Sequence, residues 1–478
     1  MATTMLRIIR RRCACRAFAF IQRNAAESRR SILSDAYTCD HKWKQRLESP
    51  VLKQVKFSEF SVQLLEKFDK EGSASVIDMS IFANKLQDMH ETEQPMVENI
   101  LQNFRHSPQA IPVPDAINHA LVKAFMETNR TDLLLQYIKD KNKFGIFPEN
   151  HAFSILMDYF IKHEDYRGAA HVAYEIMLQE DFSHPMSYLL SLYACTKHLK
   201  HPIDEPKQEE QAPVEEEEEQ WIPVDVIRCP YYDDHFDIKD DNFLLGKTLY
   251  MLGKESYLSG GELGRSLQVI GLGLYQKYAK ALDLLEKWVS SDMQAVIYDE
   301  AFERFKSDLE NAQTQDANEP EKEMGIRTID DEIHRMKPTP AHKSECLQRF
   351  QSISERLMGR TVTGDIENLV SSFVQKEIPK YEQSDIENLT ALYDKWDAER
   401  QVLLESQMKE YLRKQKESEI ISKLKELQEK EELLTYFERN HEIVKLKKKA
   451  DKRKKKKEEK EEEEFVEAPA LRSKGKKA

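Results

Sequence analysis

The clearest hydrophobic pattern in the chain runs from Ala116 to Pro185, where apolar residues recur at helical spacing in two back-to-back hairpins about 35 residues apart. In the second hairpin Phe153, Leu156 and Phe160 share one stripe of the first helix, and Ala170, Ala173 and Met177 share one stripe of the next. Gly168, Ala169, Ala170 and Ala173 keep that second helix thin, so the two backbones approach closely. One repeat back, Leu121 aligns with Leu156 and Phe125 with Phe160, while Gly145 and Pro148 end one hairpin before the next begins. A helix pair of this size cannot bury its apolar face alone and must stack on neighbours. The expected fold is therefore all-α, an α-solenoid of hairpins followed by long C-terminal helices.

The pattern divides the rest of the chain. Residues 35–199 read as the N-terminal helical solenoid, with the hairpins at 116–185 and amphipathic segments such as Phe57–Lys70 and Ser80–His90 before them. Residues 200–242 are rich in Pro and Glu and read as an acidic linker. Helical spacing returns over 243–310 as further hairpins around a turn with Gly260, Gly261 and Gly264; 311–345 read as a polar linker. Over 346–445 long helices are expected: Ile386, Leu389, Tyr393 and Trp396 step by three and four, and Ile420, Leu424, Leu427 and Leu434 continue the rhythm. The rhythm breaks at Gln415–Glu419, which argues against a long regular coiled coil. Residues 446–478 form a charged tail; Lys445–Lys457 hold ten basic residues and one acid, Asp451, and an acidic run follows.

Charge changes the picture at the other end. The chain carries −13 overall, yet residues 1–30 contain eight arginines and one acid, which leaves −20 for the remainder. An Arg-rich, acid-poor start interleaved with Leu6, Ile8, Ile9, Phe18, Phe20 and Ile21 reads as a mitochondrial transit peptide over residues 1–34, destined for the matrix; a basic arm for nucleic acid is the competing reading. The six cysteines are Cys13, Cys15, Cys39, Cys195, Cys229 and Cys346, with no C-x-x-C, so neither a disulfide framework nor a zinc motif is expected. No apolar run approaches ~18 residues, so no membrane-spanning helix is expected.

Catalytic chemistry is not legible. Gly246-Lys247-Thr248 has the ending of a phosphate loop, but Asp241 stands where the first glycine is needed and no strand precedes it. The 14 histidines are scattered, and none forms an H-x-x-x-H pair with a carboxylate; each reads as a surface or hydrogen-bonded histidine rather than a ligand. There is no G-x-S-x-G. The expectation is a non-enzyme with no cofactor, no metal and no small-molecule substrate.

The segment from Gly145 through Met177 resembles a pentatricopeptide repeat (PPR), whose hairpins, of the same class as tetratricopeptide-like pairs, stack into superhelices and contact RNA. That resemblance implies base-facing residues early in the first helix and at the last position of each repeat, here His119 with Glu149 and Ser154 with His184. Neither pair matches the usual base-reading combinations, and Glu180 stands where such a repeat expects glycine. Lys447, Lys448, Lys449, Lys452, Arg453, Lys454, Lys455, Lys456 and Lys457 are the second candidate RNA surface, through phosphate neutralisation.

Several segments in order, Leu33–Trp43, Phe104–Pro108, Phe144–Asn150, Phe153–Ala169 and Leu189–Tyr193, resemble the S27 family of mitochondrial small-subunit ribosomal proteins, with weaker likeness at Leu249–Lys254 and Tyr381–Trp396. The resemblance implies a structural, non-catalytic component of the mitochondrial small ribosomal subunit that supports translation. It implies mitochondrial small-subunit ribosomal RNA and other mitochondrial ribosomal proteins as partners. Two alternatives stand beside it: a free mitochondrial RNA-processing or stability factor of the PPR type, and a protein adaptor dimerising through residues 380–445.

Overall fold

The computed structural model of the chain describes residues 32–111, 113–201, 233–255, 257–258, 260–291, 294–314 and 339–466. The expected transit peptide (apart from its last residues), most of both linkers and residues 467–478 of the tail lie outside these. The described chain is almost entirely helical, as its periodicity requires. The helices are α1 (Asp40–Leu47), α2 (Pro50–Gln54), α3 (Phe57–Glu71), α4 (Val76–Lys85), α5 (Gln94–His106), α6 (Asp115–Glu127), α7 (Thr131–Lys139), α8 (Lys141–Phe144), α9 (Asn150–Lys162), α10 (Tyr166–Leu178) and α11 (Pro185–Lys200). After the interval 202–232 come α12 (Asp241–Lys254), α13 (Glu262–Leu274), α14 (Tyr278–Ser290), α15 (Asp299–Glu310), α16 (Pro340–Leu357) and α17 (Ile366–Val466). A short parallel ladder pairs β1 (Ile297–Tyr298) with β2 (Thr361–Val362), Ile297 opposite Thr361.

The repeat is visible in the backbone. The N-caps of α6, α9 and α11 are Pro114, Glu149 and His184, a constant step of 35. Within the hairpins, α6 closes with Arg130 N–H on Phe125 O at 2.9 Å, and α9 closes with Asp165 N–H on Phe160 O at 3.0 Å. The α13–α14 turn repeats the motif, Lys277 N–H on Leu272 O at 3.0 Å. Each turn needs one left-handed residue, supplied by Asn129, Glu164 and Gln276 at φ 54°, 62° and 58°. Between hairpins the same role falls to Gly145 and, 35 residues on, to Glu180, with φ 63° and 56°. Glu180 thus occupies the glycine position in glycine's conformation.

Close packing follows the small residues. Ala169, Ala170 and Ala173 are fully buried in α10. A Cβ on Gly168 would stand 2.8 Å from the Phe160 ring, so the backbone must carry glycine there. Gly246 and Gly271 bring α12 and α13 together: a Cβ on Gly246 would lie 2.6 Å from Gly271 O. This explains the phosphate-loop-like triplet as helix packing. Gly246 faces a backbone, the Thr248 hydroxyl donates to Leu244 O at 2.7 Å, and the Lys247 ammonium donates to Asp234 O.

By contact density the chain falls into two units, residues 1–398 and 399–478. In the first, one continuous core runs from Leu33 to Trp396, and a second is built from α13–α16 and the β1 ladder. α16 begins earlier than the polar composition of 311–345 suggests. Thr339 caps it, accepting from His342 N–H at 3.3 Å, and Pro340 takes the first helical position. In the second unit the 399–466 part of α17 is a single helix, along which Val402, Met408, Ile420, Leu424, Leu427 and Leu434 are exposed to solvent.

Candidate functional site: a helix seated on the hairpin ends

Residues 382–397 of α17 lie against the N-terminal ends of α6 and α11, through His119 and His184, while the first turn of α17 reaches the C-terminal end of α11, where Lys197 pairs with Glu367. Val370, Val374, Ile378, Leu389, Tyr393 and Trp396 are buried there, each worth about 1.5–3 kcal/mol. This apolar stripe holds the helix; the polar contacts set its register. Lys197 pairs with Glu367, Ser34 N–H donates to Glu382 at 2.8 Å, and Lys42 meets Asp394 at 2.8 Å. Pro379 sits inside α17, where its lack of an N–H removes one helical bond.

At the middle of the seat a polar residue takes an apolar place in the stripe. Asp385 is 5% exposed. Its Oδ2 accepts from the Tyr37 hydroxyl at 2.5 Å, and its Oδ1 lies 3.0 Å from His184 Nε2 and 3.4 Å from His151 Nδ1. Burial pushes the carboxyl pKa up, but His151, His184 and Tyr37 together outweigh burial and hold it well below the usual carboxylate range. At 3.4 Å the His151 approach lacks hydrogen-bond geometry, and Nδ1 has no other partner.

Two turns further along α17, beside Tyr393, His119 is fully enclosed. Its Nδ1 is 2.9 Å from Glu149 Oε1 and its Nε2 is 2.8 Å from the Tyr393 hydroxyl. Burial drives the imidazole pKa well down, and the charges of Lys123 and Arg46 push the same way. The ring is neutral, so the His119–Glu149 contact is a hydrogen bond rather than an ion pair. Burial also raises Glu149, to about 7. Around this pair Trp43, Tyr393 and Trp396 form an aromatic box. The guanidinium of Arg46 lies 5.3, 5.8 and 5.4 Å from the three ring centres, and its Nε donates to Asp397 at 2.6 Å.

All four hairpin residues singled out for RNA meet in this seat. His119 and Glu149 bond each other, His184 bonds Asp385, and the buried Ser154 hydroxyl lies 3.1 Å from that of Ser187 and 2.9 Å from Asn150 O. His119 and His184 face the protein's own helix, Glu149 reaches it through His119 and Ser154 is held between α9 and α11, because the repeat periodicity that would aim such residues at a base aims them equally at whatever covers the hairpin ends. Sequence reasoning missed Asp385, Tyr37, Arg46 and His151. The available signal was Asp385 itself, an acid in register with Ile378, Leu389 and Trp396 on an otherwise apolar stripe. The second candidate surface is different: the side chains of Lys447, Lys448, Lys449, Lys452, Arg453, Lys454, Lys455 and Lys456 are exposed along α17, while that of Lys457 lies outside the described residues.

This arrangement holds a buried polar seat, and among the described residues no catalytic constellation is brought together there. A family model described as mitochondrial 28S ribosomal protein S27 matches residues 5–426. The chain belongs to that family. As a member of the S27 family it is a mitochondrial ribosomal protein of the small subunit, structural and non-enzymatic. Ribosomal RNA and ribosomal proteins are the partner classes the family implies, and no described helix is long and apolar enough to cross a membrane. The S27 match takes in the hairpins and the seated part of α17 but ends before Lys445, so the basic run is not covered by it.

Proposed function

We propose that the protein is a structural component of the small ribosomal subunit in the mitochondrial matrix, and that it meets ribosomal RNA through its basic helix rather than by reading bases with its hairpins. The observation that carries this reading is the seat itself. His119 and His184 bond side chains of α17 and Ser154 is buried between α9 and α11, while Lys445–Lys456 are exposed. Lys445–Lys457 extend about 20 Å along the helix, with cations on every side, which suits phosphates of any sequence. Neighbouring proteins are met by the exposed apolar residues ahead of it. Ile420, Leu424, Leu427 and Leu434 lie within one stripe, and Leu434 is 82% exposed.

The test is sedimentation of mitochondrial lysate in magnesium and in EDTA. Co-migration with the small subunit and monosomes, collapsing to the small subunit alone in EDTA, is expected. A peak only at the top of the gradient contradicts the ribosomal role and leaves the free RNA-processing factor, which requires open base-reading positions.

A further inference from the structure

The knot at the centre of the seat has the make-up of a metal site. Three elements each supply one atom: His151 Nδ1 from the first turn of α9, His184 Nε2 from the N-cap of α11, and Asp385 Oδ1 from α17. All three atoms lie within 4.8 Å of one another. The carboxylate oxygen is 3.0 Å from one imidazole nitrogen and 3.4 Å from the other. Zinc bound at about 2.0–2.1 Å in a tetrahedron sets its ligands about 3.3–3.4 Å apart, so two of the three edges are already close to formed. The third shortens by a small rotation of two rings whose centres are 5.2 Å apart.

A second observation separates this cluster from an ordinary buried hydrogen-bond network. His151 is only 8% exposed and its Nδ1 has no hydrogen-bond partner, yet it points at the carboxylate. An unpaired buried nitrogen is destabilising, and a cation between it and Asp385 removes that cost. The outer partners also suit a ligand set. Asp385 Oδ2 is held by the Tyr37 hydroxyl; His184 Nδ1 accepts from Ser187 N–H at 3.4 Å as the cap of α11 and lies 3.2 Å from Ser187 Oγ, so metal at Nε2 requires the other tautomer, in which Nδ1 gives up the cap and donates to that hydroxyl.

We propose that His151, His184 and Asp385 bind a borderline divalent transition metal, zinc in the first instance, which staples α17 to the ends of α9 and α11. Two imidazoles and one carboxylate are a donor set such ions accept, with water able to complete the coordination. Magnesium and calcium, which favour all-oxygen sites, are excluded by the two nitrogens.

The experiment uses the full chain, stripped with chelator and titrated with zinc by calorimetry and with cobalt by visible absorption. One equivalent binding at micromolar or tighter concentration, a tetrahedral cobalt spectrum and a higher melting temperature with zinc are expected. His151→Leu is the discriminating variant, since without metal this nitrogen makes no hydrogen bond to lose: its metal-free melting temperature is equal to or above the wild-type value while the zinc response disappears. The cobalt spectrum of the wild-type chain needs no variant at all. Absence of one-to-one binding, a purely octahedral cobalt spectrum, or undiminished zinc binding by His151→Leu overturns the proposal. None of these outcomes bears on the ribosomal role, which sedimentation tests separately.

Discussion

Asp385 Oδ1 and His184 Nε2 stand 3.0 Å apart although 201 residues separate them in the chain. This bond joins the N-cap of one repeat helix to the middle of the seated segment of α17, and the Tyr37 hydroxyl joins the same carboxylate from near the start of the described chain. Asp385→Ala leaves a buried hydroxyl and a buried imidazole unpaired. In chelator it is expected to destabilise the protein by about 3 kcal/mol in urea unfolding. A loss within 0.5 kcal/mol, roughly what a surface substitution costs, would show that the knot is incidental to the seat.

His119 makes a pH-dependent contribution whose sign is set by burial. Its folded pKa lies well below that of an unfolded histidine, so between the two values the unfolded chain holds more protons. Stability from this residue is complete at neutral pH and is lost as pH falls below about 6.5, by at most about 1.4 kcal/mol per unit. His119→Gln keeps a donor and an acceptor but cannot titrate. Between pH 7 and 5 the wild type is expected to lose about 1–2 kcal/mol more than the variant, measured by denaturant midpoints at each pH.

Which parts of this could be read in the chain follows from range. Phe153, Leu156 and Phe160 announce a helix because the pattern repeats within three residues, and the hairpin period is confirmed by N-caps at Pro114, Glu149 and His184. The seat is a meeting of residues hundreds of positions apart, and no local rhythm encodes that Asp385 belongs with Tyr37. Along α17 the stripe that is buried passes through Asp385 and Leu389, whereas Ile386, which opened the apolar rhythm in the sequence, is only half-buried. The polar residue in the stripe was the clue, and it reads as an interruption until its partners are seen.

Packing between the helices of a hairpin is tested at Ala170, which is fully enclosed. Ala170→Leu adds three carbons where none fit and is expected to cost about 1–3 kcal/mol. An unchanged melting temperature would contradict the register of α10 on its neighbours.

Glu180 offers the opposite sign. It holds a left-handed conformation at φ 56° that costs a side-chain-bearing residue about 1–2 kcal/mol. Its contact with His235 at 3.9 Å, with the Glu180 side chain 70% exposed, is too weak to offset that strain. Allowing for the greater unfolded-state entropy of glycine, Glu180→Gly is expected to stabilise by about 0.5–1 kcal/mol. A destabilised variant, measured by thermal and urea unfolding, would contradict the backbone geometry of the turn.

The central claim is that the hairpin ends are occupied by the protein's own helix and that RNA is met by the basic run. Ultraviolet crosslinking of intact small subunits, followed by mass spectrometry of this protein's RNA-linked peptides, tests it most directly. The account predicts crosslinks within Lys445–Lys457 and none at His119, Ser154 or His184. Crosslinked bases on those three residues, with the basic run unlinked, would mean that the helix leaves its seat and the hairpins read RNA after all.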